Sequence, residues 1–548
     1  MALNNRSGTG SGHAVDWGRH KRTIMNYKRI VMNRHMRAAL ALFTMLVLAG
    51  GQAWGDERED LEVVRQTTMN LISALVKKGV LTQEVAEAMV KQAEDAARKK
   101  VAATPPAQDN VVRVPYIPET VKREIRQQIE QEVVAQAKAE RWGDVNAVPE
   151  WVDRLQWTGD LRLRYQANRF PAGNAPEYYF SQGYGQNITD TTQDNQAFRM
   201  RARLGLNAKI TPAISAGFQL TTGNTNNPVS TTQTLGQYEN KYSLVLDRAF
   251  LKAHSDETLP WLSVSAGRIP NPWFSTDLVW NDNLNFEGAA LHVDPNAQTS
   301  RQLRPFVTLG AFPLQSIERS LTVSASNKWL FGAQTGVEWI KDTNTRAKIG
   351  LAYYDYRNIH GIPNTATAPN AFDQTAPAFR QKGNTLFDIS APGVTTPLWA
   401  LAADYQLLNL TAMADLNVYD PVHIILTGDY VKNIGFNRSE ILARTGQDVQ
   451  PQTTGYMARV AVGMPTMLLK NDWQVFLAYR HLEADAVLDA FTDSDFHLGG
   501  TNNKGFILGG QYGLDKNTWL SARWLSSNQI SGLPLSIDVF QLDLNAKF

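Results

Sequence analysis

Cysteine is absent from all 548 residues, which removes a disulfide framework, a thiolate metal site and a cysteine nucleophile. Long apolar runs are missing too: none reaches the roughly 18 residues a helix needs to cross a bilayer. A helical membrane protein is thereby excluded. A transmembrane β-barrel is not, because its strands alternate apolar and polar residues and average to a polar hydropathy. Beyond residue 55 histidine is limited to His254, His292, His360, His423, His481 and His497, and no HExxH, GxSxG or Walker loop occurs. Basic excess is also lacking where it would matter. The first 55 residues hold eight of the 54 Lys and Arg and a single acid, Asp16, which leaves 46 basic against 51 acidic side chains elsewhere. Nucleic-acid binding has no electrostatic basis in that remainder.

Residues 28–37 are basic, 38–49 apolar, and 50–55 rich in small residues (GGQAWG). This order of basic end, short apolar core and small-residue cut is that of a secretory signal. Residues 1–24 have no folding pattern and read as an over-extended start, with Met25, Met32 or Met36 as the true one. Residues 1–55 are therefore expected to be an address, and export without cysteine suits the bacterial envelope.

Residues 56–150 carry a helical period. Leu61, Val64, Leu71, Leu75 and Val76 recur at threes and fours up to Gly79, and Thr82 then starts a second helix with Glu84 and Glu87 in its first turns. After a proline-containing linker at 101–118, an amphipathic helix over about 119–141 aligns Val121, Ile125, Ile129 and Val133. The stripe is thin for a core and lacks strict heptads. A polar periplasmic spacer is expected; a self-associating coil or a strut touching the cell wall is the sharper alternative.

From Leu155 the period changes to two. In 198–210, Phe198, Met200, Ala202, Leu204, Leu206, Ala208 and Ile210 alternate with Arg199, Arg201, Arg203, Gly205, Asn207 and Lys209. Comparable segments lie near 155–168, 213–222, 245–254, 262–268, 285–293, 304–312, 328–340 and 345–356, then near 400–416, 422–432, 455–464, 473–482, 504–514, 518–527 and 535–548. Together they make about sixteen strands, or eighteen if the connection 357–397 hides a hairpin. Long connections alternate with short ones such as 210–212, 255–260, 341–345, 417–421 and 514–518, and Trp157, Trp261, Trp329, Trp339, Trp399, Trp473, Trp519 and Trp524 sit near strand ends. Long loops outside, short turns in the periplasm and an aromatic girdle predict an all-β transmembrane antiparallel barrel over 151–548 in a bacterial outer membrane. In the last strand Phe540, Leu542, Leu544 and the terminal Phe548 share one face, resembling the signal that barrel-assembly machinery reads in other outer-membrane proteins.

The segments WQVFLAYRHLEADAVLDAFTDSDFHLGGTNNKGFILGGQYGL (473–514), LPLSIDVFQLDLNAKF (533–548), LQWTGDLRLRYQ (155–166) and LVKKGVLTQE (75–84) resemble the putative porin family of Gram-negative bacteria. The resemblance covers nearly all of 56–548 and implies a passive outer-membrane channel, without settling its solute.

If the apolar face meets lipid, alternation turns Arg162, Arg164, Arg199, Arg201, Arg203, Lys209, Arg248 and Lys252 into the lumen, joined by Lys348, Arg459, Arg480 and Arg523. Inward acids are fewer: Asp160, Glu338, Asp429 and Asp543. This basic wall predicts a water-filled pore with mild anion preference. The competing expectation is neutralisation by Asp277, Asp282 and Glu287 of a third loop, 269–284, folded into the pore. Asp485, Asp489, Asp493 and Asp495 in 483–497 could suit Ca²⁺, but the Gly-centred EF-hand loop is absent and a solvated loop is the expectation. No metal, cofactor or catalytic group is expected. An outer-membrane hydrolase built on His481, Glu483 and Ser494 is the weaker alternative, and an envelope tether acting through residues 56–150 is the structural one. Outer-membrane lipid and lipopolysaccharide, the assembly machinery and a homotrimer are the expected partners.

Overall fold

The computed structural model describes residues 152–548 apart from 256, 296–301 and 343–344. The signal and the helical segment expected at 1–55 and 56–150 lie outside the described residues, as does any cell-wall contact by the latter.

Sixteen long strands carry the fold. They are β1 (Leu155–Arg169), β2 (Asn195–Lys209), β3 (Ile214–Thr222), β4 (Leu244–Ser255), β5 (Leu259–Pro270), β6 (Asn285–Val293), β7 (Leu303–Gln315) and β8 (Lys328–Asp342). There follow β9 (Thr345–Arg357), β10 (Gln406–Tyr419), β11 (Val422–Asn433), β12 (Thr454–Gly463), β13 (Trp473–Leu482), β14 (Asn503–Asp515), β15 (Thr518–Gln529) and β16 (Ser536–Lys547). Each pairs antiparallel with the strand before and after it, and β1 pairs with β16 from Asp160 opposite Lys547 to Arg169 opposite Asp538, closing the sheet into a barrel. The expected count of sixteen therefore holds.

One boundary moves. The stretch expected as one strand at 400–416 is divided: Trp399–Leu401 pairs with Leu386–Asp388 in a separate two-stranded sheet, and β10 begins at Gln406. A hairpin does hide in the long connection, but its strands are three residues each, far below the roughly 9–11 that cross a bilayer. Phe387, Ala400 and Leu401 are buried among other loops, and Trp399 packs there over Gly185 instead of joining a girdle.

The polarity of the barrel is inverted relative to a soluble protein. On β1, Leu161 and Leu163 are 43% and 44% exposed, whereas Arg164 and Gln166 just beyond them are 3% and 1% exposed. The same alternation repeats on β16, where Phe540, Leu542 and Leu544 face out and Val539, Gln541 and Asp543 face in. A continuous exposed apolar wall of this extent is incompatible with water and matches lipid. Trp157, Trp261, Trp339 and Trp524 are exposed on it.

Closure is tightened at the last residue. The Phe548 N–H donates to the Gly159 carbonyl at 3.0 Å and the Gly159 N–H donates to the Phe548 carbonyl at 2.9 Å, while the Phe548 ring lies where a Cβ on Gly159 would stand, 2.2 Å away. Glycine at 159 is thus required by the close approach of the terminal ring. Replacing it, Gly159→Leu, should displace that ring and cost about 1–3 kcal/mol, the usual range for overpacking. The expected outcome is a lower midpoint for loss of the compact, heat-modifiable band on electrophoresis; an unchanged midpoint would show that the contact is dispensable.

Candidate functional site

The inner face is where charge is concentrated. The β1–β2 register sets Asp160 opposite Arg203, Arg162 opposite Arg201 and Arg164 opposite Arg199, all on the face away from Leu161 and Leu163. Arg459 on β12, Arg480 on β13 and Arg523 on β15 occupy the same inner face, as do Lys209 and Lys252, which both stand opposite Ser215 toward the short-turn end. Lys348 on β9 is also inside, its ammonium 4.4 Å from the Phe306 ring centre. Alternation therefore placed each of these basic residues on the lumen side of the wall. Arg248 arrives there with a neighbour that simple alternation assigns to lipid. The pairing of β3 with β4 slips between Gln219 and Leu220, and this bulge turns Asp247 inward beside Arg248. Asp247 accepts hydrogen bonds from Gln219 (3.0 Å) and Asn285 (2.8 Å), while Arg248 donates to Asn285 at 2.7 Å.

The loop 271–284 folds inside the barrel, as expected of the third outer connection, with Ile269 and Pro270 belonging to β5. Its anchor is apolar. Trp273, Leu278, Val279, Trp280 and Leu284 are buried against the inner-face residues Phe312, Leu330, Ala352 and Tyr354. Trp273 and Trp280 meet Tyr354 edge-on, with centroids 5.2 and 5.1 Å away. Gly332 leaves the space: a Cβ there would stand 2.5 Å from the Trp273 ring. Hydrogen bonds then set the height of the loop. Gln334 on β8 accepts from the Phe274 N–H at 2.8 Å and donates to the Phe274 carbonyl at 2.7 Å, and the Thr276 hydroxyl donates to Asp429 at 2.5 Å.

A second loop, 483–502, lies against the first, and here the expectation of a solvated segment is overturned. Asp485, Asp489 and Asp493 are buried, and two of them meet donors inside the barrel. Asp485 accepts from the Thr385 N–H and hydroxyl and from Tyr405; Asp493 accepts from the backbone N–H groups of Asp495 and Phe496. Among the described residues no group of three or more His, Cys, Asp or Glu is arranged to hold a metal ion. The Asp493 N–H donates to the Asp277 carbonyl and the Asn281 N–H to the Phe491 carbonyl, so the two loops are tied together by their backbones.

Together they carry carboxylates to the arginine wall. Asp495 lies 3.1 Å from Arg164 and 2.5 Å from Arg523, and Arg164 also holds Asp543 of β16 at 2.7 Å. Asp493 stands 3.5 Å from Arg480. Burial would raise the Asp495 carboxyl, but Arg164, Arg523 and Arg162 outweigh it and hold it well below the usual carboxylate range. Asp277 and Asp282 are raised, by burial first, with neighbouring carboxylates adding to it. Burial likewise pushes Asp493 up to about 6, helped by Asp277 and Asp495. Elsewhere on the wall, Arg201 and Arg203 share Asp160 at 2.7 and 2.5 Å.

Glu287, expected among the constriction acids, is not on the loop. It belongs to β6, on the lipid-side face with Ala289 and Leu291, where it pairs with Arg268 at 2.6 Å. The hydrolase reading fails on the same ground. His481 stacks on Tyr456 on the outer face of the wall, and Ser494 lies inside it, within reach of Asn281. Sequence reasoning weighed Asp493 and Asp495 only as calcium ligands and missed Asp247. A loop's path through the lumen leaves no period in the sequence, and a bulge leaves only the loss of one.

A closed antiparallel barrel with lipid outside, charge inside and loops folded into its lumen defines an outer-membrane channel. The chain belongs to the Putative porin family, whose pattern matches residues 65–548, and it resides in the Gram-negative outer membrane. Similar solved structures include Pseudomonas putida OprB at high pH, 12% identical with a TM-score of 0.42 over 73% of this chain and 96% of that one. Salmonella typhi OmpF in complex with daunomycin is 11% identical, TM-score 0.38, over 72% and 97%. The outer membrane channel DcaP of Acinetobacter baumannii is 10% identical, TM-score 0.38, again over 72% and 97%. No curated protein matches the chain.

The Gln334 clamp gives a direct test of the folded-in loop. Gln334→Ala leaves the Phe274 N–H and carbonyl without partners, at about 1–3 kcal/mol for each buried group orphaned. The loop should leave the wall and single-channel conductance should rise; an unchanged conductance would mean that the apolar anchor alone positions it.

Proposed function

We propose that the channel passes small hydrophilic solutes through a water-filled lumen with a preference for anions. The observation that carries this reading is an incomplete neutralisation. Asp160, Asp495 and Asp543 engage Arg201, Arg203, Arg164 and Arg523, but Arg162, Arg199 and Arg459 face inward with no carboxylate in ion-pair distance among the described residues. Arg162 donates to the Thr232 hydroxyl at 2.7 Å, and Arg459 lies over the Phe476 ring at 4.1 Å. Fixed charge of one sign along a narrow polar lumen raises the local concentration of the opposite ion. The loop acids oppose this preference without cancelling it.

The same reading takes residues 1–55 as the export address, 56–150 as a periplasmic segment and 151–548 as the barrel. It places lipid and lipopolysaccharide around the outer wall and has the assembly machinery read Phe540, Leu542, Leu544 and Phe548. A homotrimer is the proposed assembly.

The test is the reversal potential of the protein, extracted from outer membranes and inserted in planar bilayers, across a KCl gradient. An anion-shifted potential is expected, and a cation-shifted one would overturn the preference. Acidification supplies a second reading. Asp493 has its carboxyl raised to about 6 and Asp489 to about 7, both by burial first. Each loses negative charge as pH falls through those values, so the anion shift should grow between pH 7 and pH 5. A shift toward cations over that interval would contradict the assignment.

A further inference from the structure

Two of the unneutralised arginines lie together, and their surroundings are unusual for a β-sheet. Like charges directly opposite each other on paired strands are destabilising, yet β1 and β2 place Arg162 opposite Arg201 and Arg164 opposite Arg199 in consecutive inner-face positions. Two members of this square have carboxylates: Arg164 holds Asp543 and Asp495, and Arg201 holds Asp160. The other two, on the diagonal, do not. On its far side Arg162 faces Asn545 of β16, whereas Arg164 one position along faces Asp543. On its far side Arg199 faces Thr234 of the two-residue strand Gln233–Thr234, which takes over alongside β2 where β3 has ended. The neighbouring strand positions thus supply a carboxylate to one diagonal and a neutral side chain to the other.

The loop acids do not repair this. Asp495, the nearest to reach the wall, is engaged by Arg164 and Arg523. Among the described residues Arg162 has one protein acceptor, the Thr232 hydroxyl, and its Nε–H has none. The Nε–H of Arg199 likewise has none. Both side chains are half-buried, so their charge is partly desolvated yet still open to the lumen.

From this arrangement we infer that Arg162 and Arg199, with Thr232, form a discrete binding site for a divalent tetrahedral oxyanion within the channel. The inference rests on the anion-preferring reading above and deepens it from a diffuse field to a site. Diagonal neighbours on paired strands stand about 7–8 Å apart at their Cα atoms, within the span of two converging arginine side chains. Guanidinium forks match oxyanion oxygens in paired, directional hydrogen bonds that a spherical monovalent halide cannot reciprocate. Two guanidinium groups without an ion-pair partner among the described residues suit a divalent anion. The Thr232 hydroxyl, which accepts from Arg162 and keeps its own proton, adds a donor at the edge of the site.

Sulfate is the suitable probe, because it stays divalent across the working pH range, with inorganic phosphate as the second arm. Sulfate added to KCl at constant ionic strength should reduce chloride conductance in a saturable way. The half-blocking concentration should rise about tenfold or more in Arg162→Gln/Arg199→Gln, the loss of at least one charge-assisted contact. Arg162→Lys/Arg199→Lys keeps both charges and removes both forks. That pair should weaken the sulfate block as well, an outcome that a role of positive charge alone would not produce. Arg459→Gln removes an unpaired arginine elsewhere on the wall and should leave the block in place. Absence of saturable block in an anion-shifted wild-type channel would overturn the site alone, and so would equal weakening by Arg459→Gln. A cation-shifted wild-type channel would instead overturn the reading on which the site rests.

Discussion

Inside a hydrocarbon layer no water is available to satisfy a strand edge, so every backbone N–H and carbonyl at membrane depth must find its partner in the next strand. The pairing of β1 with β16 is where that requirement is met last, and the rest of the molecule follows from it. Once the sheet closes, one side of each strand faces lipid and the other faces a space that lipid cannot enter. The two-residue repeat then separates leucine from arginine without further instruction. The reciprocal bonds between Phe548 and Gly159 extend the closure to the final residue.

A barrel wall alone makes a wide polar tube. What this chain adds is a pair of inward loops held by two different forces. The loop 271–284 is anchored by aromatic burial against an inner face that locally becomes apolar, with Phe312, Leu330 and Tyr354 in place of charged side chains. The loop 483–502 is held by polar contacts. Lys382, from the connection between β9 and β10, donates to the His497 and Gly499 carbonyls, at 2.5 and 2.8 Å, and burial lowers its ammonium to about 7. Asn384 donates to the Ala484 and Val487 carbonyls. Groups of this kind are costly to bury and are tolerated only when satisfied. Their satisfaction depends on three connections meeting in one geometry, which holds Asp493 and Asp495 against the arginine wall.

The charges of the lumen consequently come in two layers with different origins. The arginines are strand residues, set by register, and cannot move without breaking the barrel. The carboxylates opposing them come from strands, as Asp160 and Asp543 do, and from loops set by packing, where burial raises the carboxyls of Asp277, Asp282 and Asp493. A fixed positive layer against a titratable negative one gives the channel a charge balance that depends on pH in one direction only, toward more positive as protons are added.

The sequence by itself determined the barrel: the count of sixteen strands, the long and short connections, the inner face of Arg162, Arg199, Arg201 and Arg203, and the outer face of Phe540, Leu542 and Leu544. These are consequences of a repeat of two, which is written locally and needs no knowledge of distant residues. The tertiary structure alone decided what those faces enclose. It turned Asp247 inward by a bulge, put Glu287 on the wall, took Trp399 away from the membrane and buried the acids of 483–502. It also decided which arginines are neutralised. Each of these depends on contacts between residues hundreds of positions apart, such as Arg164 with Asp495 and Asp543, and no local periodicity records them.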